Sequence, residues 1–172
     1  QIRLLRTNTR TDLTNRMNRF ISRQLTLLDK QNLHGFILRS KSPSCGLSNV
    51  PIEGEHGRRL HQKGQGLFAK ALQKRFPFLP IAEDGKLNTL EAKNNFLERV
   101  FAHKRWIEEV ASSKNKKSIL EFHQRQKLQL LAHGAGPAKQ LDDLVDKHKP
   151  LSPARLKKHY GELFFHALER PV

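Results

Sequence analysis

Gly35-Phe36-Ile37-Leu38-Arg39-Ser40-Lys41-Ser42-Pro43-Ser44-Cys45-Gly46 is the stretch on which the fold turns. Phe36-Ile37-Leu38 is a short apolar run, bounded before by a glycine and after by a cluster of serine, proline and glycine. That pattern predicts a brief buried strand of a parallel sheet. The polar loop that follows leaves the strand's carboxyl end, where open α/β sheets place their ligands.

Working outward towards the N-terminus, residues 14–30 read as an amphipathic helix. Leu13, Met17, Phe20, Ile21 and Leu28 recur at helical spacing, with Arg16, Asn18, Arg19 and Arg23 between them. Asp12 or Thr14 is placed to cap it. Helix followed by strand is half of an α/β crossover. Towards the C-terminus, residues 49–66 are rich in Gly, His, Lys and Arg and are expected to form an exposed loop. Leu67 to Phe76 predicts a short helix stopped by Pro77. Leu79-Pro80-Ile81-Ala82 predicts an edge strand, because proline lacks a ladder donor.

Beyond Gly85 the pattern becomes helical throughout, with a boundary expected near residues 84–90. A helix over 89–112 would turn Leu97, Val100, Phe101 and Ile107 to one side and Lys93, Arg99, Lys104 and Arg105 elsewhere. A second spans 118–133 and ends at Gly134-Ala135-Gly136-Pro137. A third spans 138–147 through Leu141, Leu144 and Val145. Ser152-Pro153 pairs an N-cap with proline at the first helical position, opening a helix that carries Leu156, Tyr160, Leu163, Phe164 and Leu168. The fold class expected is an α/β remnant, residues 1–88, followed by an all-α domain, residues 89–172.

The chain has 172 residues, with 32 Lys+Arg against 16 Asp+Glu and a formal charge of +16. Such an excess points to a polyanionic partner, RNA foremost; a well-solvated basic surface is the plainer alternative. One cysteine excludes an internal disulfide framework and fits a reducing, cytoplasmic setting. No apolar run approaches the roughly 20 residues that span a bilayer, and no leader pattern opens the chain. The start at Gln1, inside a polar stretch, is read as a cut or processed end.

Cys45 admits two readings. It is either a small buried hydrophobe, or a thiolate donor in a loop whose amides, with Lys41 and Arg39 nearby, favour sulfur chemistry. The histidines supply no recognised metal spacing, and Glu121 and His123 diverge by about 200° around a helix. His123 and Lys127 share a helix face and, with Arg99, Arg105 and His133, would make a phosphate-binding surface. Ordinary polar contacts within the helices are the alternative. Trp106 is read as core rather than as a base-stacking platform.

The loop just quoted, together with Lys63-Gly64-Gln65-Gly66-Leu67-Phe68-Ala69 and Arg75-Phe76-Pro77-Phe78-Leu79-Pro80, resembles the TudS-type desulfidases (thiouracil desulfurases). Asn95-Phe96-Leu97-Glu98-Arg99-Val100-Phe101-Ala102-His103-Lys104-Arg105-Trp106 and the run from Phe122 to His133 are similar to the opening helices of YbgA-type domains. In those domains a serine usually stands where this chain has Gly134. The resemblance implies a parent enzyme with a [4Fe-4S] cluster held by three cysteines, of which Cys45 is the last. The open iron would polarise a thiocarbonyl for attack by water.

It also implies that Ser42 and Ser44 donate hydrogen bonds to the cluster or substrate, and that Arg99, Lys104, Arg105, His123 and Lys127 hold phosphates of a nucleic acid. The implied substrate is 4-thiouridine in tRNA, or a free thiolated nucleotide. The family's Cys-Pro-Glu segment and its other cluster cysteines are absent here, so this piece is expected to bind no cluster and to be inactive alone. A non-catalytic RNA-binding or scaffold protein with a structural Cys45 is the competing expectation.

Overall fold

A computed structural model describes residues 3–54 and 58–172. The chain divides into two compact units, Gln1–Asn88 and Thr89–Val172. The class is as expected: a small parallel sheet among helices in the first unit, then helices only.

The first unit opens with α1 (Thr14–Leu28). Asp12 accepts from the Thr14 amide at 2.8 Å and so quiets the first turn. Strand β1 (Phe36–Leu38) pairs in parallel with β4 (Ile81–Glu83), in the register Phe36↔Ile81 and Leu38↔Glu83. Between them lie β2 (Val50–Glu53), β3 (Arg59–Gly64) and α2 (Leu67–Arg75). Pro80 directly precedes β4, and its carbonyl accepts from the Phe36 amide at 2.9 Å, so the proline leaves the ladder intact. The apolar core comprises Ile21, Leu38, Phe68, Ala69, Leu72, Leu79 and Ile81, with Met17, Leu25 and Leu28 packed against it. Arg75 clamps the end of α2 to the end of α1 through both carboxylate oxygens of Asp29, at 2.9 and 2.6 Å.

Three readings of this unit change. The stretch expected as a loop over 49–66 is an antiparallel hairpin, β2 with β3, with Val50 opposite Gly64 and an irregularity between Pro51 and Glu53; its residues 55–57 lie outside the described residues. The charged composition hid the pairing, because strands this short carry too few side chains to display alternation. Phe20, expected with the core stripe, is 45% exposed. Strand β1 is only half covered: Leu38 is buried but Ile37 is exposed, as a two-stranded sheet with one packed face requires.

The second unit contains α3 (Leu90–Trp106), a π-helical turn at Ile107–Ala111, α4 (Lys117–Ala132), α5 (Ala135–Asp146) and α6 (Pro153–Ala167). Thr89 caps α3 by accepting from the Ala92 amide. Ser152 caps α6 by accepting from the Arg155 amide, with Pro153 at the first helical position. The core is aromatic. Trp106 stacks on Tyr160, with ring planes 3° apart, and meets Phe122 and Phe165 edge-on.

In α3 the inward stripe is Phe96, Ala102, His103 and Trp106, whereas Leu97 and Phe101 are exposed. Both stripes have helical period. The choice went to the one whose large indole and small Ala102 interlock with the Phe122–Tyr160 stack. Helix α5 begins at Ala135 rather than 138, so Gly136 and Pro137 lie in its first turn, where a missing amide costs nothing. Gly134 makes the break at φ 132°, a conformation that a side chain disfavours.

Candidate functional site

The loop of residues 39–48 leaves β1 and is pinned at both ends by the two acids that finish β4 and begin the next turn. Asp84 accepts from the Ser40 amide at 2.9 Å, from the Ser40 hydroxyl at 2.8 Å and from Arg39 at 2.8 Å. The backbone bond from Ser40, then its hydroxyl, hold the Asp84 carboxyl far below the ordinary range, with the Gly85 amide and Arg39 adding to them against partial desolvation. At the other end, the buried Glu83 accepts from the Leu47 amide at 2.9 Å. A parallel pair of strands thus aims two carboxylates at one loop, and the loop closes over them.

Inside the loop, Ser42 Oγ accepts from the amides of Ser44 and Cys45 at 3.3 and 3.2 Å, a side-chain turn of the kind serine favours. Ser42 O accepts from Gly46 at 2.8 Å. Lys41 adopts φ 59° to start the turn. The hydroxyls of Ser42 and Ser44 lie 3.1 Å apart, and Ser44 Oγ lies 3.3 Å from Cys45 Sγ. The three residues singled out in the sequence therefore form one contiguous polar string ending at sulfur.

Helix α2 holds this string from behind. The Ser44 carbonyl accepts from the amides of Phe68 and Ala69, and the Pro43 carbonyl from that of Leu67. The first-turn amides of α2 are consequently spent on the loop rather than left for an anion. Gly66 permits the approach: a Cβ there would lie 2.4 Å from the Ser44 carbonyl carbon and oxygen. Hairpin residue Val50 performs the same service at Gly46, with its Cγ2 2.6 Å from an added Cβ. Sequence reading identified the loop but missed its supports Glu83, Asp84 and the hairpin. Their signal was faint, consisting of two adjacent acids at the end of a predicted strand.

Cys45 is half-buried and packs against the apolar core. A [4Fe-4S] cluster takes Cys thiolates as its ligands, commonly four. This chain has one cysteine, and among the described residues no group of three His, Cys, Asp or Glu is placed to hold a metal. The residues present do not by themselves fit a cluster.

The basic residues named in the helical unit each have surroundings of their own. His123 is buried; its Nε2 lies 2.9 Å from Asp142 and its Nδ1 3.1 Å from the Tyr160 hydroxyl. The carboxylate can only accept, so Nε2 carries the proton and the Tyr160 hydroxyl donates to Nδ1 in the neutral ring. His123 is thus enclosed, with Tyr160 edge-on to its ring. Burial and, secondarily, Asp142 push the Tyr160 hydroxyl's pKa up.

Arg105 donates to Gln126 and Gln129, both at 3.1 Å. Lys127 pairs with Asp142 at 3.3 Å and Lys104 with Glu108 at 3.8 Å. Arg99 is half-buried, and desolvation lowers its pKa, with Glu169 opposing. His133 is also enclosed: its ring nitrogens lie 3.0 Å from Glu98 and 2.7 Å from the Arg170 carbonyl. Among the described residues, no helix is long and apolar enough to cross a membrane.

Neither the curated proteins nor the solved structures yield a significant match to this chain. Residues 1–84, just under half of the chain and including the whole cysteine loop with its supports up to Asp84, match the family model described as 2-thiouracil desulfurase, which supports a function of that general kind.

Proposed function

We propose that this chain is part of a desulfidase that removes sulfur from a thiolated pyrimidine, with 4-thiouridine in tRNA as substrate. Residues 89–172 then form a YbgA-type helical domain joined behind the desulfurase segment. The observation that carries the reading is the doubly anchored loop within the matched residues, which places the Ser44 hydroxyl against Cys45 Sγ at 3.3 Å. In this reading Cys45 is one thiolate of an iron–sulfur site whose remaining ligands lie outside these 172 residues. Ser44 donates to its sulfur, and Ser42 keeps the loop in the shape that presents it. The excess of basic residues, 32 against 16, favours a polynucleotide over a free base as substrate.

A second reading has its own support. Cys45 touches the apolar core, as it would in a non-catalytic RNA-binding protein that uses it for packing. The two separate in one experiment. Protein from the native gene, reconstituted anaerobically with iron and sulfide, is mixed with 4-thiouridine-containing tRNA while the thiocarbonyl absorbance is followed. Loss of absorbance with the wild type and none with Cys45→Ala supports the desulfidase. Unchanged absorbance with tRNA still bound supports the binding protein.

A further inference from the structure

The two units hold equal numbers of basic residues, but their net charge differs because the acids are shared unevenly. Residues 1–88 carry 16 basic against 6 acidic side chains, and residues 89–172 carry 16 against 10. Within the first unit, α1 holds Arg16, Arg19 and Arg23 and no acid at all. At 100° per residue these three fall within an arc of about 60°. All three are exposed, and with Asn15, Asn18 and Ser22 they line one shallow depression. The nearest acids in sequence are occupied: Asp12 with the Thr14 amide and Arg3, Asp29 with Arg75. The arginines of α1 have no ion-pair or hydrogen-bond partner among the described residues.

Fold stability does not ask for this arrangement. The first turn of α1 contains Arg16 and no acidic residue, although the helix macrodipole favours anions there. Phe20, beside the arginines on the same side of the helix, leaves 45% of its surface open and Leu27 leaves 53%. The opposite, apolar face is already used, since Met17, Ile21, Leu25 and Leu28 pack on the core. A helix whose apolar face is spent inside the protein has little left to insert into a lipid surface. Guanidinium groups in a row beside an exposed aromatic ring suit a phosphodiester strand with unpaired bases, which the cations follow and on which the ring stacks.

We infer that the outward face of α1, comprising Arg16, Arg19, Phe20 and Arg23, is an RNA-docking surface of this protein. It belongs to the first unit, whereas the engaged cations Lys104, Arg105 and Lys127 belong to the helical unit. The inference rests on the tRNA reading above for its choice of RNA as polyanion.

The test is fluorescence anisotropy of labelled tRNA lacking any thiolated base, titrated with the whole protein over a series of KCl concentrations. Replacing the trio by Arg16→Gln, Arg19→Gln and Arg23→Gln should weaken binding at least about tenfold. It should also reduce the slope of log affinity against log salt by about 2, as the loss of three phosphate contacts dictates. The corresponding triple lysine variant should keep the slope, and Phe20→Ala should weaken binding without changing it. Circular dichroism confirms that each variant is folded.

The inference is overturned by unchanged affinity in the glutamine variant, by equal loss in a Lys104→Gln, Lys127→Gln control, or by tighter binding to duplex DNA or phosphatidylserine vesicles than to tRNA. Because the probe contains no sulfur, absence of desulfuration would overturn the desulfidase reading alone. Intact desulfuration of tRNA, with unchanged KM, by the glutamine variant would overturn this surface alone.

Discussion

At Gly66 the backbone of α2's entry passes so close to the Ser44 peptide that no side chain fits between them. Gly66→Ala should therefore destabilise the first unit by about 1–3 kcal/mol through overpacking against backbone that cannot yield. Thermal unfolding of the variant checks this, and an unchanged midpoint would mean that the loop moves freely. Asp84 supports the opposite end of the same loop. Its folded pKa is depressed, chiefly by the Ser40 amide, so its contribution is complete above about pH 4 and fades as pH falls through the unfolded value. Below about pH 4 the wild type should lose stability more steeply than Asp84→Asn. Urea midpoints measured at several acidic pH values give the comparison. At this scale the loop itself was legible in the sequence, since Ser42, Ser44 and Cys45 can meet through local turns. Glu83 and Asp84 were not, because their partners lie 36 to 45 residues away.

Among the elements, α6 begins, like α3, at a local side-chain cap. Ser152 accepts from the Arg155 amide, and Ser152→Ala should cost about 1 kcal/mol, the usual penalty for an N-cap. For a unit of 84 residues that corresponds to a fall of roughly 4–8 °C in the midpoint of its transition. Differential scanning calorimetry checks it. Helix caps of this kind, and the proline that follows, are short-range and legible in the sequence. The inward face of α3 was not. Leu97 and Phe101 have the same helical spacing as Phe96 and His103, and only the Trp106–Tyr160 stack chose between them. The β2–β3 hairpin was hidden for a related reason: Val50 becomes a core residue only where it buttresses Gly46.

Across the whole molecule, a charge of +16 is spread over two units whose ion pairs are mostly exposed. Exposed pairs contribute little each, while self-repulsion acts everywhere and is screened by salt. Raising KCl from about 0.05 to about 0.3 M, over which the Debye length shrinks below about 10 Å, should therefore raise the unfolding temperature. A fall would mean that the ion pairs outweigh the repulsion. The same screening should weaken tRNA binding, so stability and affinity are expected to move in opposite directions along one salt titration.

By itself the sequence determined which segments are helical, where the capped helices α3 and α6 begin, that a single thiol stands in a serine loop after a strand, and that the chain carries a large positive excess. These depend on period, capping and composition, all of which act over a few residues or need no geometry. Tertiary structure alone decided which cations remain available. His123 was enclosed by Tyr160 and Asp142, and Lys127 was tied to the same carboxylate. The arginines of α1 were left facing outward because the core took the other side of their helix. Charge is a property of residues, but whether a charge is free depends on what the chain brings back to meet it.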